Sequence, residues 1–146
     1  MMHPYPHIYT AAAGGRPEGA VGLTSPGLPE IATASPPEFG GPGGVWSPET
    51  LLCASIADCF VLSFRAIARA SKVEWSELAC RVEGVLERVD GVTQFTRYTT
   101  FASLKVPSEP TGEKARRLLE KAEHVCLVSN SLRGERILVT EVVVGG

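Results

Sequence analysis

The longest apolar stretch of the chain covers residues 51–64 and contains a single charged residue, Asp58. Just before this stretch, Ser47 can cap the N-terminus of a helix, and Pro48 suits the first helical position. The pattern therefore predicts a helix that continues to about Ala70. Because the helix is apolar almost all the way round, we expect it to be buried on most faces.

A helix of this kind needs more cover than one small chain can supply. A single domain of 146 residues has difficulty enclosing it completely, so we predict that a partner subunit packs against it. A membrane is a poorer fit, because the apolar stretch is shorter than the roughly 20 residues of a membrane span. It also carries Asp58 and is soon followed by Arg65 and Arg69.

The rest of the pattern predicts strands and one further helix. Residues 80–89 alternate between apolar and polar positions, residues 92–106 are rich in β-prone types, and the Asp90-Gly91 pair between them favours a hairpin. A break at 107–112 precedes a helix predicted at 113–124, and a last strand is predicted at 136–144. Short β-prone pieces also lie at 7–13, 20–24 and 30–34.

This order of elements predicts an α+β protein built on antiparallel pairing, with a single domain over residues 1–146. Hydrophobic residues make up 44% of the chain and charged residues 21%, which is typical of soluble globular proteins. The net charge is -2 and no basic stripe is present, which argues against binding to nucleic acid or acidic membranes. The first residues lack the pattern of a secretory signal, so we expect a cytoplasmic location.

The four cysteines are the first candidates for chemistry. In a reducing compartment they are either inert buried thiols or reactive ones, because structural disulfides are disfavoured there. Cys59 lies in the middle of the apolar helix, where it is either a packed thiol or a nucleophile. A nucleophile acts as the thiolate, which a neighbouring cation favours. Cys126 is likewise either buried or able to pair with Cys59, which requires Cα atoms within about 7 Å.

Two charged residues are candidates for the polar surroundings of a reactive thiol. Arg16 lies in a Gly-Gly-Arg-Pro turn and is either such a cation or a solvated loop residue. Glu49 is either a carboxylate that favours the helix N-terminus or part of a site. Ten helical residues separate it from Cys59, about 15 Å along the axis. If the two share a site, either the helix begins later or Glu49 comes from a second subunit.

Other patterns argue against alternative chemistries. Cys53 and Cys80 are interpreted as structural thiols. His124 and Cys126 have no further ligands at metal-binding spacing, so a metal site is not expected. The glycine run at 40–44 lacks the spacing of a phosphate-binding loop, and no GxSxG motif of a serine hydrolase is present.

The motifs around these candidates resemble those of the OsmC/Ohr family, the osmotically inducible and organic hydroperoxide resistance proteins. The segment from Ser47 to Phe60 is similar to the family's N-P-E-x-L pattern followed by small residues and Cys-Phe. The segment Cys126-Leu-Val-Ser-Asn resembles C-P-x-S-N, and the turn before Arg16 resembles the family's G-G-R. The order of the motifs agrees over nearly the whole chain.

The resemblance implies an intertwined homodimer in which β-sheets wrap around long central helices. It also implies reduction of organic hydroperoxides, with Cys59 as the peroxidatic cysteine, Cys126 as the resolving cysteine, and Arg16 and Glu49 completing the site. No bound cofactor or metal is expected. An external dithiol, in this family typically a lipoyl group, would restore the thiols.

Three departures from the family pattern bear on this expectation. Ser47 replaces the usual Asn, Asp58 precedes Cys59 where a small residue is usual, and Leu127 replaces the Pro after the second cysteine. A carboxylate that pointed toward Cys59 would disfavour its thiolate. The alternative function is therefore a non-catalytic dimer that binds or senses a lipophilic ligand in a pocket beside the central helices.

Overall fold

Three short strands form the first part of the fold. The computed structural model describes residues 2–145, which divide into two units, one ending at Leu51 and one beginning at Leu52. The first unit contains an antiparallel sheet in the order β1-β2-β3. The strands are β1 (Ala12–Gly14), β2 (Val21–Thr24) and β3 (Ile31–Thr33). β2 and β3 fall inside the windows predicted from the sequence, β1 extends one residue beyond its window of 7–13, and each strand is shorter than predicted. The prediction of one domain stays a prediction.

The long helix α1 (Pro48–Ala70) has the bounds that the sequence predicts. Ser47 caps it, because its Oγ accepts a hydrogen bond from the Thr50 backbone N–H at 3.1 Å. Thr50 Oγ1 in turn accepts one from the Ser47 N–H at 2.9 Å. Two backbone donors that a helix N-terminus leaves free are thus satisfied reciprocally. Serine therefore serves as the cap at this position.

Burial of α1 differs from the prediction, since the chain buries one stripe of the helix and not most of its faces. The stripe recurs every four residues and consists of Ile56, Phe60, Phe64 and Ala68. Leu62, by contrast, is 49% exposed. The helix is also long and apolar enough to cross a membrane by length and composition alone, contrary to the shorter stretch inferred from the sequence. Core helices of soluble proteins meet the same criterion, so the length and composition of α1 are only weak evidence for a membrane span.

The second unit contains a hairpin of two long strands, β4 (Glu77–Val89) and β5 (Val92–Val106). Asp90 and Gly91 join them, and their φ angles of 51° and 78° are both positive. Two positive φ values belong to the two-residue turn whose twist matches that of paired strands. The hairpin predicted from the sequence is confirmed.

The third strand of this sheet, β6 (Glu135–Val144), pairs with β5 in parallel. The prediction that the fold rests on antiparallel pairing is wrong for this pair. The chain leaves β5 through α2 (Glu109–Val125) and the one-turn α3 (Leu127–Asn130) before it reaches β6. A helical crossover returns the chain to the same end of the sheet, so the next strand runs in the same direction.

Helix α2 begins four residues before the predicted start, inside the segment that the sequence suggested was a break. Pro110 lies in its first turn, where the missing N–H costs nothing because those donors have no partner within the helix. The buried face of α2 packs into one cluster with the stripe of α1 and with β5. The buried residues of α2 are Gly112, Ala115, Leu118, Leu119 and Ala122.

Candidate active site

Cys59 is held by α1 next to the buried stripe. Its side chain is half-buried and directly precedes Phe60, which is fully buried. The Cys59 Sγ lies 4.0 Å from the Ser63 Oγ, one helical turn further on. Asp58 is exposed. The carboxylate that raised doubt about a reactive thiol therefore belongs to an exposed side chain of the helix.

Cys126 lies between α2 and α3, where its backbone is extended (φ -60°, ψ 104°). Its N–H donates to the carbonyl of Glu123 at 3.4 Å, and its own carbonyl accepts from the Asn130 N–H at 2.9 Å. The side chain has no solvent exposure. Its Sγ is 4.0 Å from the carbonyl oxygen of Ile56, which precedes Cys59 by about one turn of α1.

The two thiols interact with each other. Burial raises the pKa of the Cys126 thiol, hydrogen bonds to Ser129 counteract this in part, and the Cys59 side chain raises the pKa further. Both residues are free thiols. The fold therefore brings together two of the four site residues selected from the sequence, although 67 positions separate them in the chain.

Arg16 belongs to the N-terminal unit. It lies in the exposed segment that follows β1 and lines an open groove together with Glu18 and Glu30. Neither carboxylate forms an ion pair with it among the described residues. The guanidinium is thus available to an anionic group.

Glu49 is half-buried in the first turn of α1. Its Oε1 is buried and has no hydrogen-bond partner among residues 2–145. Buried polar atoms of proteins nearly always have a hydrogen-bond partner, so we expect a hydrogen-bond donor to approach this oxygen. Because α1 already begins at Pro48, the alternative in which the helix begins after Glu49 is excluded.

Cys53 and Cys80 have surroundings that hold their thiols in the protonated form. Burial raises the pKa of Cys53, and a backbone hydrogen bond from Gly84 counteracts this in part. Burial raises the pKa of Cys80 to about 11, with further contributions from Cys126 and Glu123. Cys80 thus lies near Cys126, which the sequence did not indicate.

The comparison with known protein families decides the relationship. The family described as OsmC-like protein matches residues 41–141, which is more than half of the chain and includes both Cys59 and Cys126. The chain belongs to the OsmC-like family.

Curated relatives of this OsmC-like chain cover nearly its full length. It is 31% identical over 141 residues to an organic hydroperoxide resistance protein of Xanthomonas axonopodis pv. citri, covering 92% of this chain and 94% of that protein. It is 26% identical over 145 residues to the uncharacterized protein YmaD of Bacillus subtilis, covering 96% and 97%. The relatives thus include organic hydroperoxide resistance proteins and a protein without an assigned role.

Solved structures confirm the OsmC-like α+β fold. An organic hydroperoxide resistance protein, OsmC, from Legionella pneumophila superposes with a TM-score of 0.76 at 28% identity, covering 96% of this chain and 99% of that one. An OsmC-like protein of unknown function from Vibrio cholerae gives a TM-score of 0.80 at 18% identity, covering 94% and 100%. The second comparison bears on the fold alone.

One polar cluster near Cys126 has no counterpart in the sequence analysis. Arg136, at the start of β6, donates from Nε to Glu123 Oε1 at 2.8 Å and from one terminal nitrogen to Asn130 Oδ1 at 2.8 Å. Its other terminal nitrogen contacts the Glu123 carbonyl oxygen. No local pattern marks Arg136, because its partners depend on how β6 docks beside β5. Over the described part of the chain, no cluster of three or more potential metal-binding side chains occurs.

Proposed function

We propose that this OsmC-like protein is a cysteine-based peroxidase that reduces organic hydroperoxides to alcohols. The observation that carries the proposal is the approach of the Cys126 thiol to α1 beside Cys59. Two interacting thiols, one half-buried and one fully buried, suit a pair that alternates between dithiol and disulfide. The relatives named organic hydroperoxide resistance proteins support the choice of substrate class.

The proposed reaction begins at Cys59. Its thiolate attacks the terminal peroxide oxygen and the O–O bond breaks. The alkoxide that departs takes up a proton and leaves as the alcohol. Cys59 becomes a sulfenic acid, which is reversible. The Cys126 sulfur then attacks the Cys59 sulfur and water leaves, so that one peroxide is reduced for each disulfide formed. An external dithiol of the lipoyl type restores both thiols by exchange.

The burial of the two thiols supports this division of roles. Cys126 has no exposed surface, and burial raises its pKa, so a peroxide arriving from solvent meets Cys59 first. The thiolate and not the thiol is the nucleophile, which further disfavours Cys126 in the first step. Cys126 becomes useful only once the sulfur beside it is oxidised.

We assign supporting roles to Arg16 and Glu49. The Arg16 guanidinium would stabilise the thiolate and the charge that develops on the leaving oxygen. The buried, unpaired Oε1 of Glu49 would accept a hydrogen bond from that guanidinium. We also propose a homodimer in which Glu49 acts on the Cys59 of a second copy, because α1 leaves apolar side chains such as Leu62 exposed.

The assay uses cumene hydroperoxide with dihydrolipoamide as reductant. Wild type should consume peroxide with turnover, Cys59→Ser should lose this activity by at least about 100-fold, and Cys126→Ser should lose turnover while still reacting once. Cys53→Ser is the matched control on the same helix and should keep wild-type activity. Dimedone should label Cys59 in the peroxide-treated Cys126→Ser variant.

Equal, slow consumption by wild type and Cys59→Ser would contradict the enzyme proposal. It would leave the alternative of a dimer that binds a lipophilic ligand without turnover. That alternative predicts saturable binding of an apolar fluorescent probe that is insensitive to the Cys59→Ser change.

A further inference from the structure

The turn that carries Cys126 has little intrinsic means of holding its shape. Helix α3, directly after it, has only four residues, too few to be stable by itself. Leu127, the next residue, is 68% exposed and so contributes little packing. Within the turn, the Cys126 thiol bonds Ser129 and the Cys126 carbonyl accepts from the Asn130 N–H, but the position of α3 against the end of α2 depends on contacts made from outside the turn.

Arg136 provides those contacts from β6. Its guanidinium bonds the Glu123 side chain and the Glu123 carbonyl on one side of Cys126, and the Asn130 side chain on the other. The Asn130 amide then donates to the carbonyl of His124 at 3.1 Å. The last carbonyls of α2, which a helix leaves unpaired, are thus tied to α3 across Cys126.

The electrostatics of the turn also require a cation. Glu123 places a carboxylate in the last turn of α2, at the negative end of the helix dipole. Its Oε2 is buried and has no partner among the described residues. Arg136 faces this charge directly, so its loss would leave a mostly buried carboxylate uncompensated beside Cys126.

This pair differs from the other ion pairs of the described residues. The side chains of Arg136 and Glu123 are 29% and 16% exposed, whereas every other paired side chain is at least 43% exposed. Pairs on the surface are screened by solvent and hold their partners loosely. The pair at the Cys126 turn is the one placed to hold a fixed geometry.

We propose that Arg136 is a positioning residue for the second step, which holds Cys126 so that its sulfur can attack the oxidised Cys59. The inference rests on the proposed peroxidase function and adds a residue to it. Because misplacement of a reacting group by about 1 Å can cost on the order of 100-fold in rate, loss of Arg136 should slow disulfide closure by roughly 10- to 100-fold. Attack of Cys59 on the peroxide should keep its rate.

The test is a single turnover with one equivalent of cumene hydroperoxide, resolved into its two steps. Peroxide loss reports the first step, and dimedone labelling against disulfide content, by mass spectrometry, reports the second. Arg136→Gln should accumulate Cys59 sulfenic acid, and Arg136→Lys, which keeps the charge but not the planar fork, should give an intermediate closure rate. Arg97→Gln is the matched control, because Arg97 pairs with Glu135 on the exposed part of the same sheet.

Closure at the wild-type rate in Arg136→Gln would overturn the proposal. So would an equal slowing of both steps, which a general loss of structure would produce. If Arg136→Gln does not fold, Arg136→Lys decides, and its closure at the wild-type rate overturns the proposal. A wild type that forms neither a Cys59 sulfenic acid nor a Cys59–Cys126 disulfide overturns the peroxidase function itself and, with it, this inference.

Discussion

Helices α1 and α2 each bury one stripe of side chains, but their remaining faces differ in polarity. Opposite its buried face, α2 carries mostly charged side chains, which suit water: Glu113, Lys114, Arg116, Arg117, Glu120 and Lys121. Its exposed apolar side chain, Val125, lies at the end of the helix. Beside its buried stripe, α1 carries further apolar side chains, and Leu62 is 49% exposed. One chain therefore buries the apolar stripe of α2 and leaves a mostly charged face to water, whereas it leaves apolar side chains of α1 exposed. The difference supports the proposed homodimer, in which α1 meets a second copy of the chain.

The largest expected effect tests what the two helices share. Phe60→Ala on α1 and Leu119→Ala on α2 should each lower the free energy of unfolding by about 3–5 kcal/mol, because both side chains are fully buried in one cluster. Urea denaturation followed by circular dichroism measures both. A cost below about 1 kcal/mol for Phe60→Ala would mean that the stripe of α1 is not part of the core.

The next prediction tests where the helices differ. Leu62→Glu should weaken self-association about 10- to 100-fold, because it replaces an apolar side chain worth roughly 1.5–3 kcal/mol of burial with a charge. Arg117→Glu, on the charged face of α2, should leave association unchanged. Analytical ultracentrifugation over a concentration series gives the dissociation constants. A wild type that is monomeric at micromolar concentration would refute the proposed dimer.

A third prediction compares the thiol within α1 with the thiol that follows α2. Below its raised pKa, Cys126 is protonated and buried, so iodoacetamide at pH 7.5 should modify Cys59 at least about 10-fold faster. Alkylation of Cys126 should increase as the pH rises toward that pKa. Peptide mass spectrometry at timed intervals measures both residues. Faster labelling of Cys126 would reverse the proposed order of attack.

The smallest effect concerns the two N-termini. Ser47→Ala should lower the free energy of unfolding by about 1 kcal/mol, because the Ser47 Oγ caps α1 by accepting a hydrogen bond from the Thr50 N–H. Ser108→Ala, at the start of α2, should cost about half of that or less, because Ser108 makes no side-chain cap bond. Denaturant midpoints at constant slope compare the two. Equal costs would show that the cap geometry does not distinguish the helices.

Local features of the sequence predicted the elements that local chemistry determines. The Ser47-Pro48 cap gave both the start of α1 and its direction into the apolar stretch, and Asp90-Gly91 gave the hairpin. Pro110 misled the prediction of α2, since a proline in a first turn and a proline in a break have the same local pattern. The parallel direction of β6 could not be predicted locally, because it follows from the crossover through α2.

In the candidate site, too, local motifs predicted some residues, whereas the contacts between them depend on tertiary packing. Cys59 and Cys126 were selected through their motifs, but their interaction depends on how α2 ends above α1, which no spacing reports. Arg136 lies in an ordinary polar position at the start of a strand. Its importance arises only from the partners that the docked strand gives it.

The parallel pairing of β6 has a consequence for the newly made chain. The β4–β5 hairpin joins neighbours in sequence and can form early, whereas β6 must close a loop of roughly 40 residues to place Arg136 opposite Tyr98. Until that happens, Arg136 cannot bond Glu123 and Asn130, and only the bonds within the turn hold Cys126. We therefore expect a chain lacking its last strand to carry both thiols without the ability to couple them efficiently, so that maturation of redox competence coincides with completion of the sheet.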